Sequence, residues 1–357
     1  MAGLYIFMAS QLLVTGATGF IGRHLTRDLV SQGHAVRILA RNEPKARSLF
    51  GDSVEILTGD LRDSSLLKEA CTGAETVYHI GGIYRFGLRH RREIFETNIS
   101  GTESLFQAAS DAAVNKFVHV SSASVLQRPE AITNPWAVLD ETAFPSTPPK
   151  FSPYRYSKWE AENRALAWSK RGLPVVITNI TCPIGPEDEA PTPTGQIIHD
   201  FIRGGFPCYS ATGLNFVNVS DVVSGLQLAA KSGRTGERYL LSHQNLWLKE
   251  FLDRLSEQTG VAAPRVCLPH GLILALSCFG EAIDFLTPGS QSARLCLETA
   301  LKAQSVQFFS NAKARQELGW APVSIQAGIQ QALDWYQNEP TFNATCAPLP
   351  VTKSHVR

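Results

Sequence analysis

The chain of 357 residues is long enough for one large domain or two of moderate size. Hydrophobic residues make up 44% of it and charged residues only 18%, a balance that excludes a disordered protein or a long coiled coil. Lys and Arg number 33 against 32 Asp and Glu, so the formal net charge is +1. A chain this close to neutrality lacks the basic surface of a nucleic-acid-binding protein, and we expect no nucleic acid partner.

The seven cysteines are scattered, odd in number and never spaced as Cys-x-x-Cys. This pattern argues against a disulfide framework or a zinc site and favours a reducing compartment. The nine histidines form no His-Glu-x-x-His motif and no cluster with the cysteines, so the sequence gives no support to a metal. We therefore expect a cytoplasmic protein without a metal.

Two apolar stretches, Leu4–Met8 and Leu272–Phe279, are both shorter than the ~20 residues that span a bilayer. No basic segment precedes the first stretch, so a signal peptide is not indicated. We predict that the second stretch is a buried helix, with contact to a membrane surface or to a partner protein as alternatives. Peripheral membrane contact and a homodimer both stay open on this evidence.

Short β-branched runs alternate with amphipathic helical segments over the first 180 residues. One helix is predicted over Phe20–Ser31, with its apolar residues on one stripe and Gly33 as the left-handed residue that ends it. Another is predicted over Ile94–Ala109. Such alternation implies right-handed crossovers, and hence an α/β fold with a doubly wound parallel sheet. The six predicted strands are Leu12–Val14, Ala35–Ala40, Val54–Leu57, Thr76–Ile80, Lys116–Val120 and Val175–Ile180.

The chain is predicted to divide near residue 180, where strict alternation stops. We assign 10–180 to the doubly wound domain and 181–340 to a smaller C-terminal lobe, interleaved with the sheet, which carries the substrate-binding residues. Tyr239–Leu241 is predicted to return to the sheet as a strand. The remaining segment, 341–357, has little periodicity and is expected to be a loose tail.

Prolines interrupt the pattern between Ala123 and Ser152. An irregular segment of this length inside a compact domain is typical of a lid or a binding loop. Trp136, Val138 and Phe144 supply apolar side chains that it could bury, which favours this interpretation over a poorly ordered insertion.

A glycine-rich turn lies between the first predicted strand and the first helix. It reads Thr15-Gly16-Ala17-Thr18-Gly19-Phe20-Ile21-Gly22, so its three glycines are spaced Gly-x-x-Gly-x-x-Gly. Glycines at this spacing allow a tight turn, a close approach of the backbone to a pyrophosphate and close packing of helix on strand. The free N–H groups of the helix N-terminus then face the anion. The turn therefore predicts a Rossmann-type dinucleotide site.

The choice between NAD and NADP is expected to depend on the residue at the end of the second strand. An acid there accepts hydrogen bonds from the ribose 2′-hydroxyl, but this chain has Arg41, followed by Lys45 and Arg47. A guanidinium suits a 2′-phosphate, so we predict NADP as cofactor. In the alternative, Arg41 is only a solvated charge, Glu43 serves the ribose, and the cofactor is NAD.

Asp60 follows the third predicted strand and is placed to accept a hydrogen bond from the adenine amino group. The alternative is that Asp60 caps the helix that begins near Asp63.

A helix is predicted to begin with Ser152 as N-cap and Pro153 as its first residue, and to end near Arg171 and Gly172. Tyr154 and Lys158 are one turn apart on its surface. A phenol has a pKa near 10, and a neighbouring ammonium favours the phenolate and moves that pKa toward neutrality. The pair can therefore act in acid–base catalysis, although Tyr-x-x-x-Lys also occurs often by chance.

Two serines, Ser121 and Ser122, end the fifth predicted strand. Doubly wound folds bind their ligands at this carboxyl edge of the sheet. A hydroxyl there can hydrogen-bond the substrate oxygen that gains or loses a proton.

Together these motifs resemble the extended short-chain dehydrogenase/reductase superfamily, which includes the NAD-dependent epimerase/dehydratase family, over nearly the whole chain. The resemblance also rests on Asn98, on 216–222 and on 313–320. The stretch 183–195 is similar to hopanoid-associated sugar epimerases and dihydroflavonol 4-reductase-like proteins. The resemblance implies that Tyr154, Lys158 and Ser122, rather than Ser121, are catalytic. It implies a cofactor site formed by Gly16, Thr18, Gly19, Phe20, Ile21, Gly22, Arg41, Asp60, Leu61, Gly81 and Lys158.

The chain departs from the family pattern at several positions. Val125-Leu126-Gln127 replaces the usual Val-Tyr-Gly, and Gly81-Gly82 stands where alanines are frequent. Ala123 and Ser124 replace the Asp-Glu pair of sugar-nucleotide dehydratases, so dehydration would lack its acid and base.

The expected activity is hydride transfer between a nicotinamide cofactor and a small molecule, either a sugar or nucleotide sugar or a ketone or alcohol. Epimerase and reductase use the same residues and stay open, and a cofactor-binding regulatory or scaffold protein without turnover is the alternative. Near the expected substrate entrance, the basic run 85–92 is read as a solvated loop and helix start, with a diphosphate clamp as the other interpretation. Asn179 is read as facing either the substrate or the loop backbone.

Overall fold

The computed structural model describes residues 11–85, 87–127, 134, 136–149, 152–204, 206–275, 277 and 306–338. The predicted N-terminal stretch Leu4–Met8 and the tail 341–357 lie outside these residues. None of the helices in the described part is long and apolar enough to cross a membrane.

A seven-stranded parallel sheet forms the centre of the protein, in the order β10-β6-β5-β4-β1-β2-β3. All its strand pairs are parallel, which confirms the doubly wound α/β fold. Its strands are β1 Gln11–Thr15, β2 Ala35–Ala40, β3 Glu55–Thr58, β4 Ala74–His79, β5 Lys116–Ser122, β6 Val175–Ile180 and β10 Arg238–Leu241. The central strands are apolar because helices cover both faces of a parallel sheet.

The helices that connect the sheet strands bury one apolar face each. Helix α1 has the predicted bounds, and α6 begins at the predicted Pro153. The predicted helix Ile94–Ala109 is longer and less regular than expected, since a π-helical stretch at Glu96–Gly101 joins α4 to α5. The sheet helices are α1 Phe20–Ser31, α2 Glu43–Phe50, α3 Ser64–Cys71, α4 Arg91–Phe95, α5 Thr102–Asp111, α6 Pro153–Lys170 and α8 Val219–Ser232.

The remaining elements form a second cluster around an apolar core of its own that includes Phe216, Phe251 and Ile329. A three-stranded sheet in the order β11-β9-β7 and a two-stranded pair, β12-β8, belong to it. Its elements are β7 Cys182–Ile184, α7 Pro193–Ile202, β8 Cys208–Tyr209, β9 Gly213–Asn218, β11 Gln244–Trp247, α9 Leu248–Thr259, β12 Val266–Cys267 and α11 Ile325–Asn338. Helix α10, Ala312–Leu318, packs instead on the core of the seven-stranded sheet through Ala314 and Leu318.

The predicted return of Tyr239–Leu241 to the sheet is confirmed, since β10 pairs in parallel with β6 along the outer edge. The predicted burial of the helix at 272–279 is wrong at Leu272, whereas Ser277 is buried, and 276, 278 and 279 lie outside the described residues. The backbone is helical at 270–275, but the side chain of Leu272 is 48% exposed.

The proline-containing segment contributes a few apolar residues to a small separate cluster. Leu139 forms a bridge with Phe309, and both are buried with Leu240. Phe144 packs against the same group, as expected, but the predicted burial of Trp136 and Val138 is wrong, because both are more than half exposed.

Candidate active site

The glycine turn brings three backbone segments closer together than any side chain would permit. Gly16 has a φ of +74°, and a Cβ there would lie 2.6 Å from the amide nitrogen of Gly81 at the end of β4. A Cβ on Gly22 would lie 2.1 Å from the carbonyl oxygen of Gly16. Glycine is therefore required at both positions, by sterics and, at Gly16, by backbone conformation.

The N-terminus of α1 faces the cleft above this turn. Its N-cap is Gly19, so no side chain caps the helix, and its first turn contains no acidic residue. The amide groups of that turn are thus available to an anion, which the helix dipole also favours. The cleft measures about 480 Å³ and fits the pyrophosphate of a dinucleotide. Of the predicted cofactor residues, all except Lys158 line it: Gly16, Thr18, Gly19, Phe20, Ile21, Gly22, Arg41, Asp60, Leu61 and Gly81.

Asp60 lies on the cleft wall, but its carboxylate already has a partner. It accepts hydrogen bonds from Nε of Arg62 at 2.8 Å and from the Arg62 amide, and these contacts lower the pKa of Asp60. Asp63, not Asp60, caps α3 by accepting from the amides of Ser65 and Leu66. The alternative role of Asp60 as a helix cap is therefore wrong.

The three basic residues after β2 have different surroundings. Arg41 and Lys45 line the cleft, whereas Arg47 is not among its lining residues and pairs with Glu43 at 3.0 Å. Glu43 also accepts a hydrogen bond from Thr58 and does not line the cleft. Arg41 and Lys45 could hold a 2′-phosphate from the cleft, although Lys45 is already paired with Glu189 at 2.8 Å.

A loop that sequence reasoning missed closes the opposite wall of the cleft. Glu189 accepts from Arg23 of α1 at 2.6 Å and from Lys45 of α2 at 2.8 Å. The hydrogen bond from Arg23 is the main cause that lowers the pKa of Glu189 to about 2. These partners are 166 and 144 residues apart in sequence, so no local pattern pointed to them.

A second cavity, of about 270 Å³, adjoins this cleft and contains the predicted catalytic residues. Tyr154, Lys158 and Ser122 all line it, and it shares Gly82 and Tyr84 with the cleft. The two spaces therefore meet at the carboxyl edge of the sheet, where doubly wound folds bind ligands.

Helix α6 positions the tyrosine at its first turn. The hydroxyl of Ser152 accepts from the amide of Arg155, and Pro153 is the first helical residue, as predicted. Tyr154 is 6% exposed, and its ring lies 4.5 Å from the ring of Tyr84, centroid to centroid. This aromatic contact fixes the plane of the phenol at the cavity wall.

Lys158 is buried one turn further along α6. Its Nζ donates to the carbonyl oxygen of Val120 at 3.0 Å. Burial lowers the pKa of Lys158 to about 8, and the charge of Glu162 opposes that effect. A Cβ on Gly82 would lie 3.6 Å from Nζ, an ordinary contact distance, so the backbone after β4 passes close to the ammonium.

Asn98 holds the segment after β4 in place. Its Oδ1 accepts from the amide of Ile83 at 2.7 Å, and its Nδ2 donates to the Ile83 carbonyl and to Ser157. The π-helical stretch places this side chain between β4 and α6. Asn98 thus ties the cofactor cleft to the helix that carries Tyr154.

The two serines at the end of β5 have separate partners. Ser122 donates to the hydroxyl of Ser124 at 2.9 Å inside the second cavity. Ser121 donates instead to the buried carboxylate of Glu162. Both serines line the cavity, but Ser121 is tied into the buried network, whereas the partner of Ser122 also lines the cavity.

Asn179 and the basic run 85–92 each had two predicted interpretations, and the structure distinguishes between them. Asn179 is fully buried and donates to Glu162 and to the Ser122 carbonyl, so it faces a buried network and not the cavity. Among the described residues of 85–92, Arg85 pairs with Glu93 and Arg92 with Glu96. Neither arginine lines the cleft or the cavity.

Comparison with known proteins agrees with this geometry. The NAD dependent epimerase/dehydratase family matches residues 12–242. A dihydroflavonol 4-reductase-like protein of Synechocystis sp. is 33% identical over 338 residues, which cover 94% of this chain and 96% of that protein. Sterol demethylase protein B of Methylococcus capsulatus is 31% identical over 327 residues, or 91% and 98% of the two chains.

A solved structure extends the comparison to three dimensions. The nucleoside-diphosphate-sugar epimerase PA4631 of Pseudomonas aeruginosa superposes with a TM-score of 0.76 at 26% identity, covering 94% of this chain and 99% of that one. Fold and site define a dinucleotide-binding α/β protein of the extended short-chain dehydrogenase/reductase type. The chain belongs to the NAD dependent epimerase/dehydratase family, whose members bind NAD(P) and act as oxidoreductases or epimerases on small molecules.

Proposed function

We propose that this protein is an NADP(H)-dependent oxidoreductase that interconverts a ketone and a secondary alcohol on an apolar, uncharged substrate. Three side chains carry this reaction: Tyr154 transfers the proton, Lys158 stabilises the phenolate and Ser122 orients the substrate oxygen. Hydride transfer at one carbon then needs no further acid or base.

The observation that carries this proposal is the lining of the second cavity. Lys158 is the only charged side chain among its described lining residues. A nucleotide sugar carries a diphosphate, which proteins hold with arginine or lysine side chains. The remaining walls are mainly aliphatic and aromatic, including Ile83, Ile197, Leu214 and Phe309, and suit a ring ketone. The names of the two relatives, which refer to a dihydroflavonol and a sterol, agree with such a substrate.

The mechanism follows from the positions of the three side chains. When bound, the reduced nicotinamide supplies a hydride to the carbonyl carbon. Ser122 donates a hydrogen bond to the carbonyl oxygen and fixes its direction. Tyr154 gives its proton to that oxygen as negative charge develops on it, and the ammonium of Lys158 stabilises the phenolate that remains. In the reverse direction the same phenolate removes the proton of the alcohol.

NADP(H) is the proposed cofactor because of Arg41 and Lys45. Both cations line the same cleft as the glycine turn, and the adenosine ribose of a dinucleotide bound there would lie beside them. No acidic side chain replaces Arg41 at the end of β2, the position that recognises a ribose 2′-hydroxyl.

Product analysis with the purified protein tests this proposal. We expect NADPH to be consumed with cyclic ketones of sterol or flavanonol type, and the Ser122→Ala variant to be strongly impaired. Conversion of UDP-hexoses without net use of NADPH would instead identify an epimerase. Tight binding of NADPH with no turnover of either panel would favour the regulatory protein, and either of these results would overturn the proposal.

A further inference from the structure

Three ionisable side chains follow one another along a single face of α6. Tyr154, Lys158 and Glu162 are each one helical turn apart, and residues at this spacing lie above one another. The first two line the second cavity, whereas Glu162 is fully buried behind them. A buried carboxylate is costly unless it is paired, so its place in this row needs an explanation.

Every described hydrogen-bond partner of Glu162 is a donor. One carboxylate oxygen accepts from Ser121 and from Nδ2 of Asn179, and the other accepts from Nε of Arg238 at 2.7 Å. These contacts are those of an ionised carboxylate: burial raises the pKa of Glu162, and the charge of Arg238 and the three hydrogen bonds oppose that effect. Arg238 belongs to β10, so the strand that returns from the second half of the chain supplies the cation that favours the ionised form of this carboxylate.

We propose that Glu162 is a positioning residue of the active site, whose buried negative charge keeps Lys158 in its ammonium form. This inference rests on the function proposed above, because the ammonium is what supports Tyr154 and what the cofactor ribose would contact. Glu162 touches neither of them and acts only through Lys158.

The surroundings of Lys158 show why it needs such a partner. Burial disfavours its charged form, and Glu162 is the described group whose charge opposes this. The phenol of Tyr154 lies one turn before the lysine, and two further ionisable groups interact with its charge, His79 on β4 and His119 on β5. Both are buried, and burial lowers the pKa of each, to about 3 for His79, so both are neutral near pH 7. Neither can replace the carboxylate.

The Glu162→Gln variant tests the proposal through the pH dependence of NADPH binding, measured by fluorescence titration between pH 6 and 10. In the unmodified protein the affinity is expected to fall as Lys158 loses its proton in the alkaline range. In the variant this fall moves to lower pH by about one unit, the low end of what an adjacent opposite charge contributes. The alkaline limb of the pH profile, that is the pH range in which kcat falls at high pH, shifts in the same direction.

Glu160→Gln is the matched control, since it removes the same charge from the same helix at a partly exposed pair with Arg164. We expect no shift in that variant.

Where Glu162→Gln fails to fold because Arg238 is left unpaired, the double variant E162Q/R238M removes both charges and retains the predicted shift. An unchanged alkaline limb in a folded variant, with only a lower Tm, would make Glu162 purely structural. Failure of the unmodified protein to bind NADPH at any pH would overturn the proposed function instead.

Discussion

Lys158 donates a hydrogen bond from Nζ to the carbonyl oxygen of Val120, 3.0 Å away. This contact joins the second turn of α6 to the carboxyl end of β5, two residues before Ser122. The helix that carries Tyr154 and the strand that carries Ser122 are therefore fixed to each other by the lysine between them. Catalytic groups on rigid elements hold their geometry better than groups on loops, and the following predictions depend on it.

Replacement of Tyr154 by Phe removes the proton donor and leaves the ring packed against Tyr84. We expect kcat to fall about 10²–10⁴-fold, the usual contribution of a general acid–base group, while the Kd for NADPH changes little. Tyr156→Phe is the control, because Tyr156 packs against Phe95 and Trp159 and does not line the cavity. Appreciable turnover by Tyr154→Phe would contradict the proposed role.

Replacement of Arg41 by Asp should change the preferred cofactor. Loss of a charge-assisted contact worth about 1.5–3 kcal/mol predicts a roughly ten- to hundredfold weaker Kd for NADPH, and a gain for NADH. Arg47→Asp makes the same charge change outside the cleft and is the control. Titration of both variants with both cofactors measures the effect. An unchanged ratio of the two affinities in Arg41→Asp would favour NAD as the natural cofactor.

A single methyl group at Gly22 should disturb the glycine turn. Its Cβ would lie 2.1 Å from the carbonyl oxygen of Gly16, so α1 must move away from the turn. We expect Gly22→Ala to cost about 1–3 kcal/mol in the free energy of unfolding and to weaken NADPH binding. Gly271→Ala, with open space around its Cβ, should do neither. Denaturant titration and NADPH titration of the two variants decide between these outcomes.

Asp188 lies in the loop that closes the cleft, and its carboxyl group is expected to make the stability of the fold depend on pH. It is buried, and burial raises its pKa to about 6. An acid whose folded-state pKa lies above the unfolded value stabilises the fold at low pH, and this contribution is lost as the pH rises from about 4 through 6. The Tm of Asp188→Asn relative to the unmodified protein should therefore increase between pH 4 and pH 7. The exposed Asp334→Asn should show no such trend, and a constant difference for Asp188→Asn would refute the assignment.

Much of the fold was predictable because its signals are local. The glycine turn, the N-cap Ser152 and the apolar stripe of α1 each lie within a few residues of the structure that they specify. The spacing of Tyr154 and Lys158 on one helix face is also a local property. The sequence therefore predicted the βα units and the residues at the sheet edge.

The parts that were missed depend on contacts between distant segments. Glu162 was not recognised because its partner Arg238 is 76 residues away in sequence and meets it only when β10 pairs with β6. Its spacing from Lys158 was the signal that could have revealed it. Trp136 was expected to be buried only because its side chain is apolar. An apolar side chain does not by itself determine which side of a loop faces solvent.

Strand β10 comes from the second half of the chain but pairs with the sheet of the first half, and this limits where the chain can be cut into fragments. Every residue of β6 is buried, and β10 supplies the hydrogen bonds along its outer edge. A fragment ending at residue 180 would expose that edge as an unpaired apolar ribbon, a template for aggregation. Chimaeras that exchange the C-terminal half between relatives must therefore bring a compatible edge strand, or the nucleotide-binding half loses its solubility.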